Sequence, residues 1–442
     1  MSLREDFNSW LEQEKTELVD FLRHFISYQS IREQEAQLQR EFIIPFLSSE
    51  LKLDQVDEVT VDEDNKRPNV NGVLLGKEGG KNLLFNGHID VVSAPPRQRK
   101  KWKTDPFQPV IKKGRLYGRG AVDMKGPITA LFWAIKGFLE LGLRPDGDIL
   151  LNLVVGEETC EQSLGVIPSV KSLLSRREGI DFCLNVEPTG LEIHTVSNGN
   201  YDFSIEIQGK AIHTSQKMMA DYPQRYGLPS GAEVGIDAGL ILAEVLQRLK
   251  SLEHRWNMTY RHPLLGGGGW PVPIDCQGTG NTSLNCTLIR AGDYLGSLPG
   301  DASIEGQIYY PVNADPEVLQ REMEEVLQGV TLAFPGLDKD SISVCYEKRW
   351  HWRPFETSRD HEGCQLLARV IEDQGQQPIF SGMRSVLDNT YLAEMGIPVI
   401  SCGPGYLSDG THGPNESIEL ESIYQAALIY FDYMVRWSCS NN

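Results

Sequence analysis

Leu83-Leu84-Phe85-Asn86-Gly87-His88-Ile89-Asp90-Val91-Val92 is the stretch on which the fold reading turns. Gly79-Gly80 precedes it, and a short apolar run bounded by turn residues reads as a buried strand. His88 and Asp90 lie two apart, so in extended chain their side chains face the same side. Open α/β folds place their ligands outside the carboxyl ends of the strands, and this polar pair stands at such an end. There Asp90 can hydrogen-bond one ring nitrogen of His88 and leave the other free for a metal.

Outward from this strand, the next signal is Leu116-Tyr117-Gly118-Arg119-Gly120-Ala121-Val122-Asp123-Met124-Lys125-Gly126. It opens an apolar helix over 126–142, with Ile128, Leu131, Phe132, Ile135, Phe138 and Leu139. A strand over 148–155 ends at Gly156-Glu157-Glu158, and a second over 182–186 ends at Glu187-Pro188-Thr189. Two helices are expected before residue 51. From 361 the chain reads helix, strand and helix, over 364–372, 399–402 and 420–437. Strands alternating with helices indicate an α/β domain with a mostly parallel central sheet.

Near residue 198 the pattern changes. Tyr201-Asp202-Phe203-Ser204-Ile205-Glu206-Ile207 alternates apolar and polar, as a half-exposed strand does. A helix over 238–252, strands over 283–289 and 302–310, a helix from Pro316 to 333 and a strand over 342–346 complete the order βαββαβ. That order is ferredoxin-like, an antiparallel sheet covered by helices on one face. The expectation is therefore a domain over 198–350 inserted into a discontinuous domain of residues 1–197 and 351–442. Four glycines, Gly266 to Gly269, precede Trp270-Pro271 and read as a mobile loop of the insertion.

Composition narrows the function classes. The 442 residues carry 42 basic and 61 acidic side chains, a formal net charge of −19, which disfavours nucleic acid and anionic lipid as partners. Met1 to Asp6 lacks the apolar run of a signal peptide. No apolar stretch approaches the roughly 20 residues needed to span a bilayer. The eight cysteines form no C-x-x-C pair, which fits reduced thiols in the cytoplasm and leaves His, Asp and Glu to build any metal site.

Five motifs carry the chemistry. Asp123 is either the cap of the helix behind it or a carboxylate bridging two cations. Glu157-Glu158 is either a surface acidic pair or a pair needing cations or protons to offset its repulsion. Glu187 again ends a strand. In Gly410-Thr411-His412-Gly413-Pro414-Asn415-Glu416-Ser417, Asn415 is a candidate cap for the last helix. Two imidazoles (His88, His412) and three carboxylates (Asp123, Glu158, Glu187) suffice for a two-metal hydrolytic site. Glu157 is then left for general-base work.

The chain resembles the M20 metallopeptidase family, which includes acetylornithine deacetylase, succinyl-diaminopimelate desuccinylase, aminoacylase and glutamate carboxypeptidase. The resemblance rests on G-H-x-D-V-V, Y-G-R-G-x-x-D-M-K-G, the E-E pair, E-P-T and H-x-x-N-E in that order, and runs from about residue 15 to 435. It implies a zinc-peptidase-like catalytic domain with a lid domain that pairs two copies into a homodimer. It implies two Zn2+ ions (Co2+ or Mn2+ being alternatives) bridged by Asp123, with His88 and Glu187 on one and Glu158 and His412 on the other. Asp90 would orient His88. Glu157 would be the general base for a zinc-activated water, and a cis peptide would follow Asp123. In Gly209-Lys210-Ala211-Ile212-His213-Thr214-Ser215, the resemblance makes His213 a lid residue that stabilises the oxyanion in the partner's site.

Departures from the family pattern bear on the substrate. Many relatives carry an arginine where Gly306-Gln307-Ile308-Tyr309-Tyr310-Pro311 has Tyr309, and another is absent from Val386-Leu387-Asp388-Asn389-Thr390. Arg290 and Arg384 are candidate replacements. The segment 218–234 is long and is expected to form a rim over the site. Residues 97–115 hold eight basic side chains and one acidic, which reads either as a solvated loop or as a device steering anionic substrates. The reading reached is a metal-dependent amidohydrolase that removes an acyl group from an N-acylated amino acid or related amine, a small-molecule substrate. Alternatives are a dipeptidase or carboxypeptidase, a formamide deformylase, and a non-catalytic binding or scaffold homologue.

Overall fold

Strand Leu83–His88 lies near the middle of a nine-stranded sheet. The computed structural model describes residues 2–439 except 63, 65, 78, 178, 223, 225, 226, 266–281 and 335; the four-glycine run with Trp270-Pro271, and part of the 218–234 segment, lie outside the described residues. The strand order is Gln55–Val59, Asn69–Leu74, Ile149–Val154, Leu83–His88, Phe182–Asn185, Val399–Ser401, Ile193–Ser197 and Phe355–Glu356, with Phe380–Met383 also paired to Ile193–Ser197.

The sheet is mixed, where a mostly parallel one was expected. The block from Ile149–Val154 through Leu83–His88 and Phe182–Asn185 to Val399–Ser401 is parallel, and the strands flanking this block pair with it antiparallel. The cause is connection length. Residues 75–82 and 186–192 are the only links into Leu83–His88 and Ile193–Ser197, and both are shorter than the dozen residues a parallel crossover needs.

All residues of Asn69–Leu74, Leu83–His88, Ile149–Val154 and Phe182–Asn185 are buried, since helices cover both faces. Helices Leu3–Ser27, Lys125–Glu140, Glu362–Asp373 and Leu420–Ser438 share one core; Val166–Leu174 and Asn389–Glu394 belong to the other. Phe7 of the first helix stacks on Phe431 of the last, with ring centroids 4.0 Å apart. Register in the parallel block decides where the site forms. His88 pairs with Val154, and Asn86 with Asn185, so the three strands end level.

At Ser197 the chain leaves this sheet, and at Gly199 it enters a separate antiparallel sheet ordered Ser283–Ala291, Asp301–Tyr310, Gly199–Gln208, Ile342–Trp352. Helices Ala238–Thr259 and Pro316–Ala333 pack on it around their own apolar core. Asp237 and Asp315 cap these helices, accepting from the Gly239 and Glu317 amides at 2.9 Å, and Pro316 takes the first helical position. The last strand runs six residues past the expected end at 346. A break in its pairing between Tyr346 and His351 hides the continuation, and the Asp202 carboxylate holds it by accepting the Arg349 and Trp350 amides at 3.0 and 3.2 Å.

Two helical glycines test the packing in opposite directions. A methyl at Gly329 meets only the end of the Arg248 side chain at 3.5 Å, whereas a methyl at Gly137 would overlap the Phe7 ring. Gly329→Ala is expected to stabilise the protein by up to about 1 kcal/mol through helix propensity. Gly137→Ala should instead lower stability by about 1–3 kcal/mol through overpacking. Thermal melting of the two variants checks the pair, and equal shifts would contradict this packing.

Candidate metal centre

Four loops converge at the level ends of the parallel strands. The first follows Leu83–His88 directly. There Ile89 donates to Val154 O at 2.8 Å, which extends the pairing and brings Asp90 beneath the Glu157–Glu158 loop. The Glu158 amide donates to Asp90 Oδ2 at 3.2 Å. Nδ1 of His88 sits 3.0 Å from the main-chain oxygen of Asp90 and 3.7 Å from its carboxylate. His88 is therefore oriented mainly by the Asp90 carbonyl, and the Asp90 carboxylate anchors the acidic loop as well as facing the ring.

Asp123 does not cap the helix Lys125–Glu140; Met124 holds the cap position with no side-chain hydrogen bond. The Asp123 carboxylate is instead split between two imidazoles. Oδ1 lies 3.0 Å from His88 Nε2, and Oδ2 lies 3.4 Å from His412 Nε2. Glu187 Oε1 is 3.7 Å from His88 Nε2, and Glu158 Oε2 is 2.7 Å from His412 Nε2. His88, Asp123 and Glu158 can all offer ligand atoms within 4.8 Å of one another. The Asp123–Met124 peptide is cis.

Glu157 stands at the fork, its Oε2 4.0 Å from His88 Nε2. Among the described residues its carboxylate makes no hydrogen bond. His213 is exposed, its Nδ1 2.8 Å from Ser215 Oγ, and among the described residues it makes no hydrogen bond or ion pair with the cluster.

The His412 loop is built by contacts that the sequence did not reveal. Asn415 does not cap the last helix, whose cap position is Glu419; it accepts from the Lys103 amide at 2.7 Å and donates to Lys101 O at 3.2 Å. Arg119 and Glu416, both about 1% exposed, form an ion pair at 2.6 Å. The other oxygen of Glu416 accepts the Val122 and Asp123 amides at 3.0 and 3.3 Å, and Arg119 also donates to Gly413 O at 3.1 Å. One buried pair thus ties the Asp123 turn to the His412 loop, in which His412 adopts a φ of 59°. Asp388, in the stretch that lacks the arginine of many relatives, carries no local signal of its place in the site. It is buried, and neither carboxylate oxygen has a hydrogen-bond partner among the described residues.

Of the two candidate replacement arginines, Arg290 pairs with Glu305 at 3.1 Å on the edge of the second sheet. Arg384 and Tyr309 share a cavity of about 420 Å3 with Asn198, Glu253 and Ser385, between the two sheets.

The electrostatics fit cations. Burial drives the Glu157 carboxyl well above its ordinary value, with Glu187, Asp388 and Glu158 adding to the rise. Burial and Asp123 raise Glu158 to about 7, and burial with Asp123 and Asp388 raises Glu187 to about 8. Burial also lifts Asp388 to about 7. Asp123 runs the other way: hydrogen bonds to His412 and His88 overcome burial and hold it well below the carboxylate range. Those same contacts raise His412, and, against burial, His88. Carboxyls forced to keep protons near neutral pH have lost solvation without gaining enough positive charge. An oxygen and imidazole donor set of this kind suits divalent cations such as zinc.

The model of peptidase family M20/M25/M40 matches residues 84–436. The chain is 28% identical over 381 residues to N-formyl-4-amino-5-aminomethyl-2-methylpyrimidine deformylase of Halalkalibacterium halodurans, covering 84% of this chain and 83% of that one. It is 27% identical over 380 residues to succinyl-diaminopimelate desuccinylase of Buchnera aphidicola, covering 84% and 88%. The dipeptidase Dug1p of Saccharomyces cerevisiae superposes with a TM-score of 0.72 at 15% identity over 100% of both chains.

The shifted carboxyls give a pH test. Their folded-state values, about 7 and about 8, lie above the ordinary 4.5. Stability from the protonated forms is full below about 4.5 and is lost as pH rises through 7 to 8. The raised histidines act in the same direction. Cations bind the deprotonated ligands, so the melting gap between zinc-loaded and chelator-treated protein should widen from pH 6 to 9. A constant gap would contradict the assignment of these ligands.

Proposed function

The chain belongs to peptidase family M20/M25/M40, and from that premise we propose that it is a two-metal amidohydrolase removing the acyl group of an N-acylated amino acid or related amine. The observation that carries this reading is the division of the Asp123 carboxylate between His88 and His412. Each imidazole has a further carboxylate of its own, Glu187 for His88 and Glu158 for His412. Two divalent cations, zinc by preference, would be held by these two sets, with Asp123 common to both. Bound there, they supply Lewis acidity to a water and to the scissile carbonyl.

The chain's own residues do the rest. Glu157, unengaged and at the fork, accepts the proton as the water oxygen bonds to the carbonyl carbon. It returns that proton to the nitrogen as the C–N bond breaks, so the amine leaves neutral. The Asp90 carbonyl fixes the His88 ring with Nε2 towards the cluster.

Residues 198–350 form the lid in this reading, with residues 1–197 and 351–442 as the catalytic domain. His213, exposed on the lid, serves the site of a second copy in a homodimer. The edge strand Ser283–Ala291, with Leu288 and Ile289 about half exposed, supports such pairing through the lid. The seven described cysteines are free thiols, which supports a reducing, cytoplasmic setting. No helix among the described residues is long and apolar enough to cross a membrane.

Deformylation of a formamide is the second reading. Tyr309, standing near the place of the arginine expected in the lid, favours it, and a formylaminopyrimidine deformylase is among the similar proteins.

Glu157→Gln should keep both metals and lose hydrolysis by about 10²- to 10⁴-fold. Metal analysis together with turnover of N-acyl amino acids, dipeptides and formamides measures this, and wild-type turnover in the variant would remove Glu157 as the base. In mixed dimers, Glu157→Gln subunits paired with His213→Ala subunits should recover part of the activity. Verified mixed dimers without recovery would place His213 outside the reaction.

A further inference from the structure

The five residues of the metal cluster are not held alike. The side chains of His88, Asp123, Glu158 and Glu187 are between 1 and 10% exposed, and packing fixes where they point. The side chain of His412 is 55% exposed, and its φ of 59° is an uncommon conformation for a residue other than glycine. An imidazole so placed takes its position from its own main chain. Whatever holds that main chain therefore sets the ligand.

Among the described residues, one hydrogen bond reaches the main chain of His412. It comes from Gln98, whose Nε2 donates to His412 O at 2.5 Å. The other end of the same amide accepts from Arg119 Nη2 at 3.1 Å. These partners fix the orientation of the amide, because a guanidinium only donates and a carbonyl only accepts. Arg119 is itself held fast. It is buried, paired with Glu416, bonded to Gly413 O, and lies over the Trp102 ring at 5.5 Å from the centroid. Gln98 stands on the short helix Pro96–Arg99, where the Gln98 and Arg99 amides both donate to Pro95 O at 2.8 Å. Consecutive prolines at 95 and 96 stiffen this turn further.

The amide thus spans from a rigid turn and a buried guanidinium to the carbonyl of the ligand residue. Arg119 and Asn415 hold the loop at 413 and 415, and neither bonds the His412 peptide itself. The place calls for an acceptor on one side and a donor on the other. Glutamate would keep the length and the acceptor but has no donor for His412 O.

We propose that Gln98 is a positioning residue for the metal ligand His412. By holding the His412 carbonyl it keeps the imidazole beside Asp123 and Glu158, and so sets the affinity of the cation these three hold. The cation at His88 and Glu187 does not depend on it. The proposal rests on the two-metal reading and adds to it a residue that touches neither cation nor substrate. Groups that orient a metal ligand contribute about 10- to 100-fold in metal affinity.

The test reads metal binding and not turnover. Metal-free full-length protein is titrated with ZnCl2 in competition with a chromophoric chelator. Wild type should take up two ions per chain, and His412→Ala marks the ion that His412 holds by weakening it. Gln98→Glu and Gln98→Ala should weaken that same ion by about 10- to 100-fold and leave the other within about twofold. Gln98→Glu retains the contact with Arg119, so its metal-free form should melt at the wild-type temperature. A merely structural role would instead lower the melting temperature and both affinities together. If His412→Ala weakens one ion and neither Gln98 variant does, or if the Gln98 variants weaken both ions alike, the role of Gln98 is wrong and the two-metal reading stands. If His412→Ala weakens no ion, the ligand assignment behind that reading fails, and the role of Gln98 falls with it.

Discussion

Like-charge repulsion among buried carboxylates is the constraint on which the rest of the structure depends. Asp90, Asp123, Glu157, Glu158, Glu187 and Asp388 act on one another around two imidazoles, and burial raises five of the six. Asp123 alone is lowered, because it alone lies between both histidines. Left to relax, such a cluster would separate or draw in water. It is held because each carboxylate sits at the end of a fully buried strand or on a loop locked to one, so the sheet core opposes the repulsion.

Two buried ion-pair systems fasten the loops. Arg119–Glu416 joins the Asp123 turn to the His412 loop. Arg67, about 3% exposed, bonds Glu35 at 3.0 Å, pairs with Glu161, and reaches Thr159 at 3.2 Å, which braces the loop bearing Glu157 and Glu158. Burial pushes the Glu35 carboxyl up to about 7 even beside this arginine. Such pairs add little net stability over apolar replacements, but losing one partner costs about 3–5 kcal/mol. Their value here is positional: they fix the distances between ligands that arrive from separate parts of the sequence.

What the sequence disclosed follows the same division. His88, Glu158 and Glu187 stand just past apolar runs, a local pattern that periodicity reveals; Asp123 and His412 were legible through the motifs of the resemblance, and the distances bring the five together. Sheet direction was less legible, since it depended on counting the residues in 75–82 and 186–192 and not on the apolar runs. The end of the strand Ile342–Trp352 was not legible because a bulge held by Asp202, far away in sequence, breaks its alternation. Asn415 read as a helix cap by its spacing and proved to be a bracket to Lys101 and Lys103. Asp388 and the Arg119–Glu416 pair escaped because their importance lies in tertiary neighbours that no local pattern encodes.

Net charge looks different once the two regions of strong charge are separated. The buried cluster is acidic, but two divalent cations would bring +4 to it, and the carboxyls with raised values keep protons until cations displace them. Either way its excess charge is largely compensated inside the protein, in metal-free and loaded states alike. The field outside is then set by surface groups, so the net charge of −19 describes the surface and says little about the cluster.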